Sequence, residues 1–336
     1  MKNTIYVVCP AYIKTGGTEL LHQLVSELLL NGHNAYITYE DPREGAEYLN
    51  DAFRKYVSEY RCIKDIEDDK NNILIIPEIS TPYIKRYYNI NIYVWWLSVD
   101  NYFAYNKYYT AMNQWGYFQT AKEVLKHIVF RPGVKNVAVR NMKHIAMHLT
   151  QSEYARQFLA SYGITSIEML GDYVNEVYLS EAERNDNQKK ENLVIYNPSK
   201  GKLLTEKIIK YCVNENYTFV PLQGMSNEEV LATMKKAKVY IDFGHHPGKD
   251  RMPREAAIMN CCIITSTYGA AENDIDIPID SKYKFNGKNN SFPRIKETIS
   301  ELICNYDIHV KEFAEYRKKI LGEKLEFKMQ VKNIFG

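Results

Sequence analysis

Lys249, Arg251 and Glu255 lie close together in the stretch YIDFGHHPGKDRMPREAAIMNCCIIT, residues 240–265. The apolar run Val239–Phe243 predicts a strand. The loop after it holds Gly244, His245, His246, Gly248, Lys249 and Arg251, and a helix is expected from about Pro253, with Glu255 in its first turn. A second strand follows at Cys262–Thr265. The exposed N–H groups at a helix start favour an anion, and Lys249 and Arg251 add charge beside them. Glu255 is a poor phosphate ligand but a good acceptor for a pair of sugar hydroxyls. A nucleoside diphosphate satisfies both, with its phosphates on the basic loop and its ribose on Glu255. The plainer account is that loops at strand ends are often charged and that acids favour helix starts for stability alone.

A second loop of this kind, Asn197-Pro198-Ser199-Lys200-Gly201, also lies between a predicted strand (Leu193–Tyr196) and helix (Leu203–Asn214). Lys200 and Lys249 meeting phosphates from adjacent loops would stabilise a departing diphosphate. Near the N-terminus the order is strand Ile5–Cys9, loop Pro10–Gly17, helix Thr18–Asn31 and strand Ala35–Tyr39, a βαβ unit. In such sheets ligands bind beyond the carboxyl ends of the strands, which makes the loop around Gly16 and Gly17 a candidate site. It carries neither G-x-G-x-x-G nor a P-loop, so a tight turn for helix packing explains the glycines equally well. Predicted strands Ile73–Ile76 and Ile90–Leu97 end at Glu78 and at Ser98 and Asp100. Such groups hold hydroxyl-rich ligands, accept a proton, or simply cap helices.

The elements that must position these residues follow from pattern and composition. The chain has 336 residues, 45% of them hydrophobic and 25% charged, with a net charge of +2, which gives no nucleic-acid signature. Its longest apolar runs are shorter than the roughly 20 residues a membrane span requires. Met1-Lys2-Asn3 leads straight into a strand without a signal-peptide pattern, and Cys9, Cys62, Cys212, Cys261, Cys262 and Cys304 show no C-x-x-C pairing. A reduced cytoplasmic chain without zinc is the expectation. A helix is predicted over Asp51–Tyr60, a strand over Ile145–Thr150, a Ser152-capped helix stopped by Gly163, and a strand over Ile167–Leu170. The polar stretch Glu181–Glu191 reads as a linker, after which the α/β pattern restarts with strand Thr218–Leu222 and helix Asn227–Ala237. The basic run Lys122, Lys126, Arg131, Lys135, Arg140 and Lys143 fits a solvated face or a contact with anionic head groups.

Four segments together resemble a glycosyltransferase of the GT-B type, two Rossmann-like domains facing across a cleft. They resemble its retaining family 4, or "glycosyl transferases group 1". GGTELLHQLVSEL is similar to the family's first glycine loop and helix, and HLTQSEYARQFLASYGI to its late N-terminal strand and serine-capped helix. YNPSKG resembles the loop that closes on a phosphate-binding lysine, here Lys200, and MPREAAIMNCCIITS the helix whose glutamate is here Glu255. The departures are specific. Pro247 stands where the family has the first of two glutamates, Ile195 where an arginine precedes the phosphate lysine, and WWLSVDNY where a histidine follows the fourth strand, with Asp100 the nearest polar substitute. Such departures resemble a divergent bacterial subgroup linked with surface-polysaccharide synthesis.

The resemblance implies an acceptor domain over 1–180, a sugar-nucleotide domain over 190–310, and a helix over 311–336 that crosses back to the N-terminal domain. It implies transfer from a nucleotide-diphosphate sugar, a UDP-sugar foremost, to a glycan or glycolipid hydroxyl, with retention. The donor itself is a substrate, and no further cofactor or metal is called for. Donor-binding residues would be Gly16, Gly17, Lys200, Gly201, His246, Gly248, Lys249, Arg251 and Glu255; catalytic ones Lys200, Lys249, Arg251 and Asp100; acceptor-binding ones Glu78, Ser98 and Asp100. The alternatives are a catalytically silent sugar-nucleotide-binding subunit and a GT-B-like sugar-nucleotide epimerase. In the last helix Phe313, Tyr316, Ile320, Leu325 and Phe327 form the expected apolar side, with peripheral membrane contact as the second reading.

Overall fold

A computed structural model describes residues 3–40, 47–103, 136–184, 189–213 and 215–336. They fall into two compact units. One holds Phe103 and the described residues before it, 136–172 and Leu325–Gly336; the other holds the described residues of Tyr173–Lys324.

The first unit is built on a parallel sheet of strands β1 (Thr4–Cys9), β2 (Asn34–Tyr39), β3 (Tyr60–Cys62), β4 (Ile73–Pro77), β5 (Asn91–Trp96), β6 (Met147–Thr150) and β7 (Ile167–Met169). Its order is β3-β2-β1-β4-β5-β6-β7. Ile5–Cys9 are all buried, as expected of a strand covered on both faces. Helix α1 (Gly16–Leu30) starts in a capping box: the Thr15 hydroxyl accepts the Thr18 N–H at 3.3 Å, and the Thr18 hydroxyl accepts the Thr15 N–H at 2.9 Å. Leu20, Leu21, Leu24, Val25 and Leu28 are buried along one stripe, while Leu29 faces out. Gly32, at φ 83°, turns the chain into β2. Helices α2 (Val99–Tyr102) and α3 (Glu153–Ser161) follow β5 and β6, and Ser152 caps α3 by accepting the Ala155 N–H at 3.2 Å.

The predicted helix over Asp51–Tyr60 is not formed. A 3-10 turn covers only Asp51–Phe53, and Tyr60–Cys62 pairs with Ile37–Tyr39 as an edge strand. The open edge of β2 supplies hydrogen bonds that outweigh a weak helical pattern. Of the basic run, Lys122, Lys126, Arg131 and Lys135 lie outside the described residues; Arg140 and Lys143 are exposed.

The second unit holds α4 (Glu176–Arg184), β8 (Glu191–Tyr196), α5 (Lys202–Tyr211), β9 (Thr218–Pro221), α6 (Asn227–Lys236), β10 (Ala237–Asp242), α7 (Arg251–Ile258), β11 (Cys262–Ser266), β12 (Lys284–Phe285), α8 (Phe292–Cys304) and α9 (Tyr306–His309). Its sheet is parallel, in the order β12-β11-β10-β8-β9. The expected linker begins inside α4, which is held by tertiary contacts: Tyr178 joins the unit's core, and Glu181 accepts from Lys235 at 2.8 Å. The α7 helix starts at Arg251 rather than Pro253, after an extended Asp250, so Glu255 lies past the first turn. Pro253 is then the third helical residue, where no intrahelical acceptor is yet required.

The final helix, α10 (Ala314–Phe335), begins in the second unit and ends in the first. Gln330 accepts the Gly171 N–H at 2.7 Å, and the Phe335 ring stacks on Tyr93 at 6.0 Å. The expected return to the N-terminal domain is therefore present. Phe313, Tyr316, Ile320, Phe327 and Val331 are buried, but Leu325 is 65% exposed and does not belong to the apolar side. Two residues from Phe327, it points about 200° away around the helix. The inward place between Ile320 and Phe327 is taken by Glu323, 3% exposed.

Candidate functional site

In each sheet the strand order reverses once: between β1 and β4 in the first unit, and between β8 and β10 in the second. Ligands of open α/β sheets bind beyond the strand ends at such reversals. In the second unit the loops after β8 and β10 touch there. Gly201 adopts φ 57°, and a Cβ on it would lie 2.8 Å from the Gly244 nitrogen; a Cβ on Gly244 would lie 2.7 Å from that of Lys200. Two glycines thus permit the approach.

This approach assembles four ionisable side chains. The Asp250 Oδ2 lies 2.5 Å from the Lys200 Nζ and 2.9 Å from the His246 Nδ1. The other ring nitrogen of His246 lies 3.5 Å from the Asp242 carbonyl oxygen and 3.9 Å from its Oδ1. That Oδ1 accepts the Gly244 N–H at 2.9 Å, and the Asp242 Oδ2 accepts the Tyr240 hydroxyl at 3.3 Å. Burial opposes the charge of Lys200, His246 and Asp250, but their partners outweigh it. Asp250 and Asp242 hold the Lys200 and His246 pKa values above their ordinary range, and Lys200 and His246 hold that of Asp250 below it. Asp242, His246 and Asp250 offer ligand-type atoms within 4.8 Å of one another. The Lys200 ammonium already supplies the cation for this group, so these three are not read as metal ligands.

Beside the cluster, Arg254 is 1% exposed and spans α7 and α10. It donates to the Glu323 Oε2 at 2.6 Å and to the Lys249 carbonyl at 2.9 Å. The Lys249 ammonium itself lies 3.0 Å from the Glu323 Oε1. Arg251 opens α7 half-buried, and Glu255 is 9% exposed. The charge of Glu255 adds to the burial that raises the pKa of Tyr178 and Tyr240.

The first unit's reversal holds Gly16, Gly17 and Glu78. A Cβ on Gly17 would sit 3.8 Å from the Leu97 Cδ1, and the Glu78 Oε2 accepts the Leu97 N–H at 2.9 Å. Burial pushes the Glu78 carboxyl up to about 7, against the N–H groups of Leu97, Glu78 and Ser98. Ser98 caps α2 by accepting the Asn101 N–H at 3.3 Å, and the Asp100 Oδ1 accepts the Tyr154 hydroxyl at 3.2 Å.

No protein-family model matches the chain, and no curated protein matches it by sequence. Solved structures share its fold. The sucrose-phosphate synthase of Thermosynechococcus elongatus superposes with a TM-score of 0.63 at 11% identity, covering 99% of this chain and 98% of that one. An E. coli structure, trehalose-6-phosphate bound with UDP-2-fluoro glucose, gives 0.63 at 8% identity, with 99% and 98% covered. The chain has the GT-B fold. A TarM mutant from S. aureus, in complex with fondaparinux, alpha-GlcNAc-glycerol and UDP, gives 0.56 at 14% identity. There 82% of this chain is covered but only 57% of the TarM chain, so this chain spans little more than half of that protein's length. Identities of this size carry the fold; the chemistry rests on the residues present.

On the GT-B fold, the expected donor residues divide. Lys200, Gly201 and His246 come together after β8 and β10, with Gly248 buried in the same loop. His246 is fully buried behind Asp250 and presents no surface of its own. Lys249 spends its charge on Glu323. Asp242, Asp250, Arg254 and Glu323 were not singled out from sequence. Asp250 had a signal, its spacing of four from His246, but Glu323 meets Arg254 across 69 positions and no local pattern marks it.

Proposed function

We propose that the protein is a glycosyltransferase moving a sugar from a nucleoside-diphosphate donor, a UDP-sugar foremost, to a hydroxyl of a glycan or lipid-linked acceptor. The observation that carries this reading is the meeting of Lys200 and the start of α7 at the β8/β10 reversal, with Glu255 on the same helix. A diphosphate leaving group gains negative charge as the sugar departs. Lys200, Arg251 and the N–H groups of the glycine turn at Gly201 are the groups that would stabilise it. Glu255 takes the ribose hydroxyls. Arg251, at the first position of α7, is the second cation of this reading. In the first unit, Gly16 and Gly17 open α1 beside Leu97, and Glu78 orders the end of β5 so that Ser98 and Asp100 meet the acceptor. With Lys200 and Arg251 holding the diphosphate, its own oxygen takes the acceptor proton, and transfer proceeds with retention. Bacterial surface-polysaccharide synthesis, with the enzyme cytoplasmic or at the inner membrane face, is the setting this reading favours.

Release of nucleoside diphosphate from donor sugars tests it. The wild-type protein is expected to turn over one donor, and Lys200→Ala to lose about 100-fold or more in kcat, as when a transition-state donor is removed. Pro247, in place of an acidic residue, favours a second reading as a silent nucleotide-sugar binder. Tight donor binding with no release, in the presence of acceptor glycans, would select that reading.

A further inference from the structure

The charge balance behind Lys200 turns on one proton. Asp242 and Asp250 carry two negative charges and Lys200 one positive, so a neutral His246 leaves the group with one net negative charge and a protonated His246 leaves none. Among the described residues, the charges that act most on the imidazole are those of Asp242, Asp250 and Lys200, while from α7 the charge of Glu255 reaches Tyr240 in the same group and Arg251 opens that helix. Asp242 and Asp250 face it from its own segment and Lys200 from the loop after β8. From the segment after β11 it receives backbone only: the His246 N–H donates to the Tyr268 carbonyl at 3.3 Å, and its carbonyl accepts the Ala270 N–H at 2.8 Å. Tyr240 on β10 acts through Asp242, and His245 lies against Tyr268, ring to ring at 6.4 Å. Glu323 of α10 is engaged with Lys249 and Arg254. The His246 Nδ1 lies 2.9 Å from the Asp250 Oδ2 as an ion-pair contact, out of line for a hydrogen bond, and the Nε2 lies 3.5 Å from the Asp242 carbonyl. A fully buried ring set between two carboxylates is favoured in its charged form by their field.

We propose that His246 and Asp250 are positioning residues for Lys200. The Asp250 carboxylate, lying between ring and ammonium, aims the lysine, and the imidazolium behind it cancels the second carboxylate so that these four side chains present no net negative charge to an incoming diphosphate. The inference rests on the donor-site reading above and assigns the pair a task within it. No proton leaves the group during binding at low pH. At high pH, binding requires His246 to take one up, so affinity falls as pH rises through the histidine's pKa. This role also accounts for a histidine and an aspartate, rather than further cations, behind the lysine.

The test is isothermal titration calorimetry of the whole chain with UDP-, GDP-, ADP-, CDP- and dTDP-glucose. Their diphosphate diesters do not titrate near neutrality, so the slope reports the protein. For the best binder, Kd is expected to rise about three- to tenfold from about pH 6.5 to about pH 8.5. His246→Gln should bind weakly at every pH, near the wild-type alkaline value, and Asp250→Asn should show no slope. Thermal melts of each protein separate folding from binding, because a purely structural role would move the melt and leave the slope intact. A wild-type Kd constant across this range, or a slope that persists in folded His246→Gln, would overturn the proposal while leaving the donor site standing. If none of the five binds folded wild-type protein, the donor-site reading fails and this inference with it.

Discussion

At the end of β4 the Glu78 carboxyl is 2% exposed and hydrogen-bonded to the Leu97 N–H at 2.9 Å. Burial raises its pKa from 4.5 to about 7. In that window the folded chain holds a proton that the unfolded chain has released. The stabilisation linked to this group is therefore complete below the unfolded value and is lost as pH rises through about 7. Glu78→Gln keeps an oxygen for the Leu97 N–H and has no charge to bury. Urea unfolding at about pH 5 and about pH 8 should show the wild type losing stability relative to the variant, on the order of 3 kcal/mol. Parallel pH profiles for the two proteins would show that the carboxyl is already ionised in the fold. Sequence marked Glu78 as a polar residue at a strand end, which is right as to place. It could not distinguish a residue exposed to a ligand from one folded under β5, because the Leu97 N–H that captures it comes from the turn after another strand.

Among the elements, α10 depends on a contact that runs against its amphipathic pattern. Phe313, Tyr316, Ile320 and Phe327 were readable as an inward stripe because apolar residues at helical spacing must be covered. Glu323 breaks the stripe and is kept inside by Arg254 at 2.6 Å and Lys249 at 3.0 Å. Removing one side of a buried pair strands the other charge, whereas replacing both with apolar groups is close to neutral. Glu323→Ala should therefore destabilise the protein by about 3–5 kcal/mol, and replacing all three charges, Lys249→Met and Arg254→Met with Glu323→Leu, should recover most of that loss. Denaturant midpoints of the three proteins check this; a small effect of Glu323→Ala would mean that the pair contributes little to seating α10 on α7. The same logic explains α4. Its second half, from Glu181, is the start of the polar stretch and has no stripe to read, and the helix is fixed by Tyr178 and by Lys235 from another helix.

For the whole molecule, the two parallel sheets were predictable because buried parallel strands read as short apolar runs separated by helical stripes, and that pattern restarts once along the chain. The edge strand β3 was not, since three residues drawn onto an open sheet edge carry no period of their own. At the second unit's strand reversal, Lys200 and His246 were recognised from loop position, but the carboxylates joining them became visible only when Gly201 and Gly244 brought the loops into contact. The central claim is that this place binds a nucleoside diphosphate, with Glu255 on its ribose. The most direct test is thermal-shift titration with UDP, GDP, CDP, ADP and dTDP, wild type beside Glu255→Ala. A ligand at about 100 times its Kd contributes about 2.7 kcal/mol, a shift of a few degrees for a chain of this size. The account predicts a shift with one base, UDP foremost, that is lost in Glu255→Ala. No shift with any of the five in folded wild-type protein, or an equal shift in the variant, would contradict it.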